Sequence, residues 1–129
     1  MFFKRKEGFR FSFDEPIPAE AVILVDRRPV DIDRTRHKCQ ILDISPRGMK
    51  MFIDAEFGEK LNKTYQLEIH FVIDMTDIVG IGEIMWEKPY GAGKQLGIVF
   101  NDQPSVEDLI INELKSRRRK EVRGKKSNL

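Results

Sequence analysis

The sequence predicts a mainly β fold, a closed or nearly closed antiparallel barrel followed by one helix. Three observations lead there. Short apolar runs recur through the middle of the chain, each bounded by turn residues. The clearest of them, TYQLEIHFVIDM at 64–75, places Tyr65, Leu67, Ile69, Phe71 and Ile73 on one side, a period of two. After Asn101 the period changes, and Val106, Leu109, Ile110 and Leu114 fall at helical spacing.

The elements follow in order. AVILV at 21–25 reads as a strand, and RRPVDIDRTR, broken by Pro29, as a connection. HKCQILDI at 37–44 is a strand that runs into DISPRG. GMKMFID at 48–54 is the next, with Met49, Met51 and Ile53 on one face. AEFGEKLNK reads as a loop, on account of Gly58 and Asn62. The strands at 64–75, 77–89 and 95–100 come after it, the last two joined by the turn YGAGK. Pro104 precedes the helix, Ser105 is the expected N-cap with Asp108 at N3, and the end is expected near Arg123-Gly124.

Composition narrows the function classes. The chain has 129 residues, enough for one domain with its own core. No run approaches the roughly 18 apolar residues needed to cross a bilayer, so no integral membrane segment is expected. MFFKRKEG puts charge where a signal peptide needs an apolar stretch. Cys39 is the only cysteine, which excludes an internal disulfide and makes a cytoplasmic location the natural default. It lies in an apolar run and reads as core filler. His37 and His70 are the only histidines, and neither has a metal-ligand partner at useful spacing or a nucleophile to serve. An enzyme is therefore not expected, and no cofactor.

The net charge of +2 hides an asymmetry. From Lys115 onward stand eight basic residues and one acidic one, while the rest of the chain carries 15 basic and 20 acidic. KSRRRKEVRGKK could contact nucleic-acid phosphates or another acidic partner. The plainer reading is a basic helix end that complements its own dipole and stays solvated.

Two short stretches carry chemistry. DISPRG describes a tight turn in which Asp43 and Ser45 can satisfy the turn's own amides and Gly48 can adopt a positive φ. The same turn could offer a ligand a carboxylate, a hydroxyl and backbone N–H groups. Near the N-terminus, Lys4, Arg5, Lys6 and Arg10 gather positive charge among Phe2, Phe3, Phe9 and Phe11. An arginine there can stack on a purine or fork onto guanine O6 and N7. A solvated edge with anchoring aromatics fits equally.

Together, in this order, and followed by GEIMW, LGIVF and a helix, these stretches resemble the PilZ domain, a bacterial receptor domain for cyclic di-GMP (c-di-GMP). The resemblance runs from about Arg5 to about Lys120. The family signature is R-x-x-x-R and then [D/N]-x-S-x-x-G. Asp43, Ser45 and Gly48 keep the second part, whereas Lys6 to Arg10 reads K-x-x-x-R, with Arg5 one residue early.

The resemblance implies a six-stranded antiparallel barrel with a C-terminal helix, organised as a flexible ligand-binding segment at 1–12, the barrel and helix at 13–123, and a disordered tail at 124–129. It implies that the basic segment folds over c-di-GMP. Arg10 would then meet guanine and phosphate, and Lys6 would take the place of the first arginine, with Arg5 able to substitute by a shift in register. Asp43 would accept from a guanine edge, and Ser45 would contact guanine or a nearby polar group. Gly48 would admit the ligand to the backbone. Trp86 falls where some members carry an aromatic near the ligand, and barrel packing is its other reading. A receptor of this kind signals through a protein partner. The alternative is an interaction module that has lost its ligand along with the first arginine.

Overall fold

The structure, a computed structural model, describes residues 10–127, and side chains as far as Arg123. Arg5 and Lys6 lie outside the described residues. The described residues form seven strands: β1 Phe11–Val25, β2 Arg28–Pro29, β3 His37–Ser45, β4 Gly48–Ile53, β5 Gln66–Val72, β6 Asp77–Tyr90 and β7 Gly93–Phe100. Helix α1 spans Ala55–Glu59 and helix α2 spans Pro104–Ser127. The sheet order is β2-β1-β3-β4-β7-β6-β5, and β1 pairs again with β5. β2 is a two-residue appendage, so six strands make the closed wall. All pairings are antiparallel.

Closure rests on β1, which serves both neighbours. Ala19, Glu20 and Ala21 face Cys39, Lys38 and His37 on one edge and Phe71, His70 and Ile69 on the other. Closing the sheet removes the unpaired edges that would otherwise invite aggregation. The inward residues follow the period of two. Leu67, Ile69, Phe71 and Ile73 are all buried, as are Met49, Met51, Ile53, Leu96, Ile98 and Phe100. Each such side chain contributes roughly 1.5–3 kcal/mol on burial. Cys39 is buried among them, and burial, with Glu20 nearby, pushes its thiol pKa up to about 12, as suits a packing residue.

Several boundaries differ from expectation. The first strand starts at Phe11 rather than at residue 21, and so includes Phe11 and Ser12, which the sequence assigned to the segment ahead of the barrel. Its first half is irregular: the pairing with β3 jumps from Ser12↔Asp43 to Ile17↔Ile41. That jump hides the alternation. Pro16 and Pro18 are tolerated because, before Ala19, β1 has a strand partner on one edge only. The stretch after Asp54 is not all loop. Asp54 accepts a hydrogen bond from the Phe57 backbone N–H at 2.8 Å and caps one helical turn. Phe57 is thereby buried and stacks on His37, with ring centroids 4.7 Å apart.

Helix α2 begins one residue before the expected cap. The Gln103 carbonyl accepts from the N–H groups of Val106 and Glu107, and Pro104 occupies the first turn, where its missing N–H costs nothing. The helix also continues beyond Gly124 to Ser127. Val106, Ile110 and Leu114 are buried against the barrel, but Leu109 is 36% exposed and lies off that stripe.

Polar groups lock the helix in place. Glu113, 8% exposed, accepts from the backbone N–H groups of Asp74, Met75 and Thr76 at 3.0, 2.8 and 2.8 Å. Its carboxylate fills the small anion nest made by the β5–β6 loop. One turn on, Arg117 donates to the Ile73 carbonyl at 2.9 Å, and its guanidinium lies 5.2 Å from the Phe13 ring centroid. Lys120 pairs with Asp74 at 3.1 Å.

Burial pushes the Glu113 pKa up, but the three N–H donors outweigh it and hold the carboxyl below its ordinary 4.5. A depressed folded-state pKa contributes stability that is present above 4.5 and is lost as pH falls through the lower folded value. Glu113→Ala is expected to cost about 2–3 kcal/mol in urea unfolding at neutral pH, because three donors lose a charged acceptor. Glu113→Gln should flatten the loss of stability below pH 4.5. An acid limb identical to the wild-type protein's would contradict this account of the clamp.

Candidate functional site

The pieces named from the sequence meet on the outside of the barrel. Along β3, a strict period of two would put Asp43 on the same side as Ile41, in the core. It does not stay there, because the pairing with β4 runs Ile41↔Met51 and then Asp43↔Lys50. Leu42 is an extra residue, a β-bulge that turns Asp43 to the outer face and returns Ile44 to the core. The same device operates on β6. Ile84 is buried and Trp86 has the same parity, yet the pairing with β7 runs Ile84↔Ile98 and then Trp86↔Gly97. Met85 is the extra residue, and Trp86 emerges 40% exposed.

Between the two bulged strands, β4 and β7 keep regular alternation here. Lys50 lies outward between buried Met49 and Met51, and Gly97 lies between Leu96 and Ile98. The result is one row across the wall, Ser12↔Asp43↔Lys50↔Gly97↔Trp86, each residue in register with the next. Gly97 is what lets Trp86 lie flat. A Cβ on Gly97 would stand 2.1 Å from the indole Nε1.

Arg10 closes the open end of the row. It directly precedes β1, two residues from Ser12, and its guanidinium Nη1 donates to Asp43 Oδ1 in a charge-assisted bond. Lys50 Nζ lies 3.6 Å from the other carboxylate oxygen, Oδ2. Asp43 is nearly buried while both cations are partly exposed. These residues line a concavity of about 300 Å³ together with Trp86, Gly97 and Val99.

Ser45 and Gly48 belong to the turn beside that concavity and do not line it. Ser45 is buried and its hydroxyl donates to the Gly48 carbonyl at 3.4 Å, so it holds the turn closed. Asp43 does not serve the turn's amides, since its oxygens face Arg10 and Lys50. Gly48 has no positive φ, contrary to the reading from the turn sequence. Its need is space: a Cβ there would stand 2.2 Å from the Ile98 carbonyl oxygen of the neighbouring strand. The turn is tied further by the Phe100 N–H, which donates to the Arg47 carbonyl at 2.8 Å, and by Arg47, 3.9 Å from Glu107 on α2.

Of the predicted site residues, the structure brings together Arg10, Asp43 and Trp86, with Ser45 and Gly48 supporting them from the turn. Lys50 and Gly97 were not singled out from the sequence. Alternation in GMKMFID points Lys50 outward, but its partners depend on the bulges. A larger groove of about 1160 Å³ lies elsewhere on the wall, lined by residues such as Glu20, Lys38, Phe52 and His70. It contains none of the predicted site residues. Some of its polar groups already have partners, Arg36 with Glu20 at 3.3 Å and His70 with Glu68 at 2.9 Å. Among the described residues no cluster of three or more His, Cys, Asp or Glu side chains could hold a metal, and no helix is long and apolar enough to cross a membrane.

Known proteins share this architecture. A crystal structure of Escherichia coli YcgR in complex with c-di-GMP superposes with a TM-score of 0.64 at 17% identity, over 93% of this chain and 48% of that one. The chain thus spans about half of that protein's length. The PilZ domain of YcgR with c-di-GMP, also from Escherichia coli, gives a TM-score of 0.63 at 16% identity, over 94% of this chain and 96% of that one. At these identities the likeness is one of fold. No curated protein sequence matches the chain. The sequence model of the PilZ domain matches residues 4–116, and with that match the chain belongs to the PilZ domain family.

Proposed function

We propose that this chain is a receptor for c-di-GMP, bound on the outer face of the barrel along the row from Arg10 to Trp86. The observation that carries the reading is the row itself. It sets a cationic fork, a carboxylate acceptor, a second cation and a flat aromatic face side by side. Guanine has a donor edge for a carboxylate, acceptors for an arginine fork and a π-face for stacking. The two phosphodiesters of the ligand need positive charge. From β3 to β6 the row crosses three strand spacings, roughly 14 Å, long enough for a base at one end and a phosphate beside it. The family membership and the c-di-GMP named for both YcgR structures support the same ligand.

In this reading Arg10 moves between Asp43 and the ligand, and Arg5 and Lys6 close over the row from the N-terminal side, a role they hold on the motif alone. Closure of that segment over a ligand would change the surface around the start of β1. Contacts run from there toward the helix: Phe11 and Phe13 have ring centroids 5.1 Å apart, and the Arg117 guanidinium of α2 lies 5.2 Å from the Phe13 ring centroid. Helix and closed segment together would present a new face to a protein effector in the cytoplasm.

The test is calorimetric titration with c-di-GMP, with GTP and cyclic di-AMP as controls. Selective heat for c-di-GMP is expected, and none at high protein concentration would refute the proposal. Arg10→Ala should abolish binding while leaving the circular dichroism spectrum unchanged. Lys6→Arg should tighten binding by about tenfold to a hundredfold, since one bidentate base contact is worth roughly 1–3 kcal/mol. Unchanged or weaker binding would remove Lys6 from the place of the first arginine.

A further inference from the structure

We infer that Lys50 is a ligand-contacting residue of this site, supplying the cation that meets a phosphodiester of c-di-GMP; the inference rests on the receptor reading above. Lys50 occupies the middle of the row, in register with Asp43 on one side and Gly97 on the other. It lines the same concavity as Arg10 and Trp86. Its neighbours along β4, Met49 and Met51, are buried in the core, so the backbone aims Lys50 outward.

Charge and geometry give it a task. Arg10 and Asp43 are bonded to each other and cancel. Lys50 is then the surplus positive charge on the row, facing a ligand with two negative phosphodiesters. Its Nζ sits 3.6 Å from Asp43 Oδ2, longer than a hydrogen bond, so its three donors can turn to an incoming oxygen. An ammonium meets phosphate as a point charge and needs no planar fork. Lys50 therefore adds phosphate contact to the row and does not replace the base recognition that the motif loses with lysine at position 6.

The competing role is simple neutralisation of Asp43. The two roles predict opposite signs. If Lys50 only neutralises, its removal leaves Asp43 a freer acceptor and binding is unchanged or tighter. If Lys50 meets phosphate, Lys50→Met weakens c-di-GMP binding by about tenfold or more. Lys50→Arg, which keeps the charge, stays within about threefold of the wild-type protein. The gap between the wild-type protein and Lys50→Met should narrow as salt is raised, because the contact is partly exposed.

The experiment is titration of the three full-length proteins with c-di-GMP at two salt concentrations, with circular dichroism to confirm folding. Wild-type binding with Lys50→Met equal or tighter overturns the inference and leaves the receptor reading standing. Equal weakening by Met and Arg also overturns it, since shape rather than charge would then matter. No binding by the wild-type protein overturns the receptor reading and this inference with it.

Discussion

Two extra residues, Leu42 and Met85, give this barrel its outer row of charged and aromatic side chains. A closed wall with period two sends every second side chain inward, and both Asp43 and Trp86 stand on inward parity. A carboxylate in that core would need a buried partner, and an indole would need room the packed interior lacks. The bulges remove both conflicts at once by shifting register locally in β3 and β6. The intervening strands stay regular, so Lys50 and Gly97 fall between the two displaced residues. The row is thus a consequence of register, and its spacing is that of the hydrogen-bonded sheet.

The glycines follow from the same geometry. Gly97 leaves the space into which Trp86 lies, and Gly48 lets β4 approach the Ile98 carbonyl. Ser45 closes the turn from inside. The signature D-x-S-x-x-G therefore divides its labour in this chain. Asp43 faces the site, while Ser45 and Gly48 fix the hairpin that holds Asp43 in place. On the other flank, Glu113 and Arg117 fasten α2 to the β5–β6 loop and to Phe13. The strand that brings Arg10 to Asp43 is thereby in contact with the helix through Phe13 and Arg117.

Much of this was legible in the sequence and some was not. The inward faces of β4 and β5 followed from alternation, because nothing interrupts them. The buried face of α2 followed from its spacing, apart from Leu109. The first half of β1 did not, because its register jump and two prolines conceal the pattern of Phe11, Phe13 and Ile17. The cap of α1 by Asp54 was overlooked for lack of an apolar period in one turn. In that stretch the motif pointed to Asp43 but misread Gly48, assigning it a backbone angle where it needs space. Lys50 required the pairing of three strands, which no single stretch contains. The bulges themselves leave no mark in composition, since Leu42 and Met85 are ordinary strand residues.

The central claim is that c-di-GMP lies along the row. Amide and indole chemical shifts of the labelled protein, followed as c-di-GMP is added, test it most directly. The account predicts the largest changes at Arg10, Asp43, Lys50, Gly97 and the Trp86 indole, with smaller ones at Ser45 and Gly48. Changes concentrated instead in the groove around Glu20, Lys38 and His70, with the row silent, would contradict it.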